Sequence, residues 1–198
     1  MQNEKVLFFI LHFSFYRLQM DPINIRLATA EDASMLAELS RRTFYDTFAA
    51  QNTPENMEKF MNEQFTHEAL MKEVGEPSNI FIIAEAGNEV AGYARLRESA
   101  PPPSLDDLPS IEIARIYALQ TMIGRGVGNA LMKRCIEIAY EMGKRIIWLG
   151  VWEENSRAIQ FYIKWGFEKF DEHNFVLGND AQRDWLMKKT LEGGTVGQ

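Results

Sequence analysis

Several things are scarce in this 198-residue chain, and each scarcity removes a class of function. There is one cysteine, Cys135, so no disulfide can form within the chain. Its place at helical spacing with Leu131, Ile138 and Ala139 reads as core filling, with no histidine nearby in sequence to make it a nucleophile. Such cysteine usage suits a cytoplasmic location. The three histidines, His12, His67 and His173, are scattered without ligand spacing, so no metal site is expected and no Ser-His-Asp arrangement can be built. Basic residues are outnumbered, 21 against 28 acids, and a net charge of −7 excludes general nucleic-acid binding, which needs a basic face. The same balance suits a cationic small molecule. Long apolar runs are missing as well. The run from Val6 to Tyr16 is broken by His12 and Ser14 and falls short of the ~20 residues that a spanning helix needs, so no membrane partner is expected. Residues 1–20 differ in composition from the rest and read as an extension outside the domain, with Met20 as the natural start; 21–191 read as a single domain and 192–198 as a flexible tail.

What is present centres on Ile111 to Met142. Ile111, Ile113, Ile116 and Ala118 fit a buried or half-buried strand, and Gly124-Arg125-Gly126-Val127-Gly128 then opens into a helix. The helix carries Val127, Leu131, Cys135, Ile138, Ala139 and Met142 at three- and four-residue spacing, and Gly143 supplies the residue that ends it. A strand, a glycine-rich turn and a helix form an anion cradle, because glycines admit the ligand and the first-turn N–H groups point at it. An ordinary tight turn is the plainer alternative. The turn lacks the Lys and Ser/Thr of a P-loop, and Gly126-Val127-Gly128-Asn129-Ala130-Leu131 lacks the third glycine of a dinucleotide-binding turn. A second unit follows. Ile146 to Val151 is a buried-looking strand, Asn155-Ser156 a helix cap, and the short helix after it stops at Gly166.

Together these segments resemble the acyl-CoA-binding core of the GNAT acetyltransferases. The glycine turn is similar to that family's R/Q-x-x-G-x-G/A loop, with Ile123 at the Arg/Gln position and Arg125 able to supply charge from within the loop. Asn155, Ala158, Phe161, Tyr162, Gly166 and Phe167 match the family's N-x-x-A-x-x-F-Y-x-x-x-G-F segment. Over roughly residues 25 to 191 the chain is most similar to the PaiA-type spermidine/spermine N-acetyltransferases. The resemblance is carried by Thr43 to Phe48, Gln51 to Met57, Ile116-Tyr117, Trp148 to Trp152, Gly166-Phe167 and the stretch from His173 to Lys188.

The remaining elements can be read in order. Ile23 to Leu27 is a short strand, Thr29 and Asp32 make a capping pattern, and Leu36, Leu39 and Phe44 give the first helix an apolar stripe. A second helix begins at Pro54 and carries Met57, Phe60, Met61 and Phe65 inward. Ile80 to Glu85 and Val90 to Arg97 are strands joined by a hairpin at Gly87-Asn88. The stretch 98–110, with Pro101-Pro102-Pro103, reads as a long surface loop and a candidate lid. Two strands, around Glu168 to Leu177 and Arg183 to Lys188, complete the domain. The expected fold is α/β in the α+β sense. It is a GNAT-like mixed, mostly antiparallel sheet of six to seven strands with helices on both faces, in the order β-α-α-β-β-β-α-β-α-β-β.

The resemblance implies acetyl transfer from acetyl-CoA, the co-substrate, to a small-molecule primary amine in a ternary complex, with no metal. It places the coenzyme on Ile116, Tyr117, Ala118, Leu119, Gly124, Arg125, Gly126, Val127, Gly128, Asn129, Asn155, Ala158, Tyr162 and Lys164. A backbone N–H near Tyr117 to Leu119 would serve the thioester oxygen, and the amides of Arg125 to Asn129 the pyrophosphate. Tyr162 would protonate the leaving thiolate, since a phenol with a pKa of about 10 is protonated at neutral pH; packing with Phe161 and Trp165 is its alternative role. Glu112 would act as base through water, or is only an exposed strand residue. Tyr45, Asp46 and Glu55 are candidate acceptor contacts, with Asp106 and Asp107 in the proline loop as further acids for a polyamine. A homodimer is compatible with the family. Two other readings stay open: a CoA-sensing regulator of protease and sporulation genes, and an acetyltransferase for protein amino termini.

Overall fold

The computed structural model describes residues 22–105 and 108–191; the expectations for 1–20, for Asp106 and Asp107, and for 192–198 lie outside the described residues. The elements are β1 (Ile23–Leu27), α1 (Ala33–Phe48), α2 (Pro54–Glu63), α3 (His67–Val74), β2 (Asn79–Ala86), β3 (Glu89–Arg97), β4 (Ser110–Ala118), α4 (Val127–Glu141), β5 (Ile146–Trp152), α5 (Ser156–Lys164), β6 (Glu168–Leu177) and β7 (Asp180–Thr190). Short 3-10 turns at Ala30–Asp32 and Gln120–Met122 precede α1 and α4. The strands form one seven-stranded sheet in the order β1-β2-β3-β4-β5-β7-β6, and β4–β5 is its one parallel pair.

Local chemistry sets the element ends. Thr29 donates its backbone N–H to Asp32 Oδ2 at 2.7 Å, and Arg26 of β1 binds both oxygens of the same carboxylate at 2.8 Å, which holds the Asp32 carboxyl well below the usual range. Thr53 caps α2 by accepting from Asn56 at 3.3 Å, with Pro54 in the first turn. The third helix, α3, is an addition to the expected order. Thr66 caps it through Ala69 at 3.2 Å, but Leu70 is its one buried residue, too little for an apolar stripe to show in the sequence. Phe65 is buried as expected, yet it lies beyond the end of α2.

Helices cover both faces of the sheet. On one face α4 presses Val127, Leu131, Met132, Cys135, Ile138 and Ala139 against Ile82, Ala84, Ala94, Leu96, Ile111, Ile113, Ile147 and Leu149, and α5 adds Ile159 and Tyr162. On the other face Leu36 and Leu39 of α1 pack on Phe81, Ile83 and Tyr93. The first three helices share a cluster of Ala37, Phe44, Met57, Phe60, Met61, Phe65 and Leu70, closed by Leu177 of β6. Glu73 of α3 ties this layer to the sheet. It accepts from Arg95 at 2.7 Å and from Arg115 at 3.0 Å, both guanidiniums being largely buried.

Two irregularities shape the sheet centre. Ala114 is skipped in the β3–β4 pairing, where Arg95 faces Arg115 and Leu96 faces Ile113, so β4 is bulged there. Strands β4 and β5 pair only at Ser110–Ile146, Ile111–Ile147 and Glu112–Trp148. Beyond those pairs β4 continues to Ala118 and β5 to Trp152, and the sheet opens between them.

Gly92 of β3 lies where the start of α4 and the end of β4 both crowd the strand. A methyl group there would sit 2.5 Å from the Tyr117 carbonyl oxygen and 2.9 Å from Val127 Cγ1. Gly92→Ala is therefore expected to destabilise the fold by about 1–3 kcal/mol, the usual cost of overpacking. The check is the midpoint of urea unfolding; an unchanged midpoint would mean the strand and helix ends separate without cost.

Candidate active site

The glycine turn forms a backbone cradle at the start of α4. Gly124 and Gly126 have φ of 81° and 89°, a left-handed conformation that residues with a side chain rarely adopt. Gly126 caps α4, and the first intrahelical bond runs from Ala130 N–H to its carbonyl at 3.0 Å. The N–H groups of Val127, Gly128 and Asn129 thus precede the helical ladder and sit at the positive end of the helix dipole, a suitable seat for a phosphate. The cradle differs from the expected one in detail. Arg125 donates its amide to the Met122 carbonyl at 3.2 Å, so its N–H serves the turn. The Val127 side chain is buried in the core, which leaves only its backbone for a ligand. Asn129 Oδ1 accepts from the Trp165 indole at 3.1 Å and ties the start of α4 to the end of α5. Asn155 Oδ1 caps α5 through Ala158 N–H at 3.1 Å.

From the cradle the opening between β4 and β5 leads through the sheet. A cleft of about 1240 Å³ runs along it, lined on the cradle side by Gly124, Gly126, Gly128, Asn129, Asn155, Ala158, Phe161 and Tyr162. Ile116, Tyr117 and Ala118 form the β4 edge. Leu119 gives its N–H to the Ala91 carbonyl of β3 at 2.9 Å, which removes it as an oxyanion donor. Alternation along the strand then turns the N–H groups of Ala118 and Ile116 toward the β5 side. Tyr162 is buried at the cleft wall, and burial pushes its phenol further above the ordinary value, so the proton is present at neutral pH. Burial likewise raises Tyr117, with Tyr93 and Tyr162 adding to the effect and Arg115 opposing it. Cys135 is buried in the core and pushed up to about 12 by burial, which leaves it a thiol with no part in the cleft.

Across the sheet the cleft has two charged sides. The β3–β4 side presents Arg95, Arg97 and Arg115, and the β6–β7 side presents Asp171, Glu172, His173 and Asp184. Arg115 stands over the Phe65 ring at 4.7 Å. Glu112 also lines the cleft, but it is not an exposed strand residue: Arg97 binds its two oxygens at 2.8 and 2.9 Å, and Ser99 donates to it at 2.9 Å. His173 and Asp184 are a pair the sequence reading left out as functional groups. They face each other across β6–β7, with His173 Nε2 3.8 Å from Asp184 Oδ2.

Not every expected residue reaches this cleft. Tyr45 and Glu55 are exposed and do not line it. The reason is helix phase: Phe44, Thr47 and Phe48 face the cleft, and Tyr45 lies about 100° around α1 from Phe44. Asp46 lines a smaller neighbouring cavity of about 450 Å³, shared with Ile123, Asn155 and Arg157, and stands 3.9 Å from Arg42. Lys164 is exposed on the last turn of α5, away from the lining, and Arg125 contacts Met122 Sδ at 3.9 Å on the surface. Among the described residues no group of three His, Cys, Asp or Glu could hold a metal ion, and no helix is long and apolar enough to cross a membrane.

The cradle can be tested by substitution. Gly126→Val forces a β-branched residue into the left-handed region and is expected to weaken acetyl-CoA binding at least about tenfold, or ~1.4 kcal/mol. Calorimetric titration measures this directly. An unchanged dissociation constant would remove the turn from the coenzyme site.

The comparisons agree with this geometry. The acetyltransferase (GNAT) family matches residues 35–167. An uncharacterized N-acetyltransferase in the pepI 3'region of Lactobacillus delbrueckii subsp. lactis is 37% identical over 172 residues, 87% of this chain and 99% of that protein. The spermidine N(1)-acetyltransferase of Thermoplasma acidophilum is 27% identical over 161 residues, 78% of this chain and 95% of that one. Among solved structures, the PaiA N-acetyltransferase of Thermoplasma acidophilum in complex with coenzyme A superimposes with a TM-score of 0.70 at 24% identity, over 86% of this chain and 99% of that one. YncA of Salmonella typhimurium, a putative acetyltransferase solved with acetyl-CoA, gives a TM-score of 0.67 at 18% identity, over 89% and 98%. A bulged β4, a glycine cradle and an opened sheet in one chain, matched by that family over most of the domain, place this protein among the GNAT acetyltransferases.

Proposed function

We propose that this enzyme transfers the acetyl group of acetyl-CoA to a primary amine, with a cytoplasmic polyamine of the spermidine type as acceptor. The observation that carries the reading is the opening between β4 and β5, which joins the glycine cradle on one face to an open cleft on the other. The amides of Val127, Gly128 and Asn129 would hold the pyrophosphate. The N–H of Ala118 would hydrogen-bond the thioester oxygen, where negative charge develops as the amine attacks. Tyr162 would donate its proton to the departing thiolate. The relative named spermidine N(1)-acetyltransferase supports a polyamine, as do the acids on the β6–β7 side. A polyamine keeps several ammonium groups while one reacts, and Asp171, which accepts from the neutral Ser104 hydroxyl, is a cleft carboxylate that could face one of them.

Tyr162→Phe removes one hydroxyl at nearly constant volume. It is expected to lower kcat by roughly 10²–10⁴-fold with little change in the acetyl-CoA dissociation constant. Stopped-assay thiol release and calorimetry together check this, and full turnover at every pH would assign thiolate protonation to water.

Spermidine is expected to exceed butylamine in kcat/KM at low salt. The advantage should narrow as salt rises, because exposed charges are screened over about 8–10 Å. Equal values for the two amines at low salt would overturn the polyamine reading and leave a neutral amine or a protein amino terminus as acceptor.

A further inference from the structure

Acetyl transfer at neutral pH needs a group that takes a proton from an ammonium, and Glu112 is badly placed for it. Its oxygens already accept from Arg97 and Ser99, and it sits where the two strands still pair. The opposite wall offers something different. His173 and Asp184 are directly paired on β6 and β7, and their side chains meet above Gly150 of β5. A methyl group on Gly150 would lie 3.6 Å from His173 Nε2 and 3.7 Å from Asp184 Oδ2. Gly150 is exposed to the cleft, so the glycine leaves the pair open at the level of the sheet opening. His173 is half-exposed, with its side chain at 51%, while Asp184 is at 16%. An accessible imidazole backed by a sheltered carboxylate is an arrangement suited to moving a proton.

The surroundings sharpen the assignment. Burial raises the Asp184 carboxyl, with Glu153 adding and His173 opposing, so a positive charge on His173 is what favours its anion. His173, Asp184, Tyr162 and Tyr117 of β4 all line the same cleft, so a proton acceptor and a proton donor share it. Other charges near the pair have partners of their own. Glu172 is bound by Lys169 at 2.8 Å and Arg183 at 3.1 Å, Arg183 also lies 3.7 Å from Glu153, and Asp171 accepts from Ser104.

We infer that His173 is the group that deprotonates the acceptor amine and that Asp184 positions it and stabilises the imidazolium. This inference rests on the acetyltransferase reading above. The ammonium passes a proton to the His173 imidazole, and the freed nitrogen lone pair forms the C–N bond to the thioester carbonyl carbon. The C–S bond breaks, the thiolate takes the Tyr162 proton, and Tyr162 recovers a proton from the nitrogen of the nascent amide. The proton on His173 leaves to solvent, so one proton is released per acetyl group transferred.

The test uses the whole protein with acetyl-CoA and, as acceptor probes, spermidine and butylamine. Wild-type kcat/KM should level off well below the pH of ~10 at which an alkylammonium loses its own proton. In His173→Gln it should instead climb about tenfold per pH unit, following the free amine, and approach the wild-type rate near pH ~10, where an alkylammonium loses its own proton. Asp184→Asn should give an intermediate loss, also recovering at high pH. A deficit in His173→Gln that is constant across pH, or no deficit, overturns the inference while leaving the acetyltransferase reading in place. Absence of thiol release by the wild type with both amines would instead count against the amine acceptor. The carboxyl titration of Asp184, followed by carbon-13 NMR, then decides the pairing alone: it should move up in His173→Gln, and an unmoved titration overturns the pair.

Discussion

Strands β4 and β5 run parallel and stay hydrogen-bonded for only three residue pairs. Past Glu112 and Trp148 each strand keeps its outer neighbour and loses the inner one. A parallel pair leaves backbone groups evenly spaced along its edge, so opening it creates a row of donors and acceptors with nothing to bind but a ligand or water. The bulge at Ala114 gives β4 the bend it needs to leave its partner. The turn at Gly124 to Gly128 then brings the start of α4 to the mouth of the opening. Without the separation, the cradle and the acceptor cleft would be on opposite sides of a closed sheet.

Charge on the acceptor face divides into structural and available groups. Arg95 and Arg115 share Glu73, and Arg95 is brought down to about 10, first by burial and then by the charge of Arg115. Such a group is held in a low-dielectric setting where its partners matter more than solvent. It fastens α3 to β3 and β4 and forms the rigid side of the cleft. The β6–β7 side is different, because the cation paired with Asp184 among the described residues is a histidine at 3.8 Å. That contrast would orient an amine toward the second wall.

The parts of the site legible in the sequence are those encoded over a few residues. A strand, Gly124 to Gly128 and an apolar stripe from Val127 to Ala139 announce a cradle locally, and Asn155 announces the helix after it. The alternation of Ile80 to Arg97 with Gly87-Asn88 between likewise announces a hairpin. Groups assembled by register were not legible. His173 and Asp184 are eleven positions apart in sequence and meet because β6 and β7 pair there, above a glycine on a third strand. Tyr45 and Glu55 look suited to a ligand by residue type, yet helix phase turns Tyr45 outward and the first turn of α2 leaves Glu55 exposed. Glu112 illustrates a third limit: its chemistry is decided by Arg97, fifteen residues earlier and across the ladder.

The narrow joint between β4 and β5 divides the chain's chromophores as well as its strands. All four tryptophans lie on β5 or after it: Trp148 in the last pair of the joint, and Trp152, Trp165 and Trp185 beyond it. Trp148 and Trp152 lie on β5 at the edge of the opening, Trp165 is bonded to the cradle residue Asn129, and Trp185 sits on β7 under Lys169. Indole emission therefore watches the second half of the sheet and the coenzyme mouth, while α1, α2 and α3 contribute none of it. One indole reaches across that divide: Trp152 meets Phe48 of α1 edge-on with ring centroids 6.2 Å apart, so loosening of the first helix and ligand entry at Trp165 would each perturb a different tryptophan.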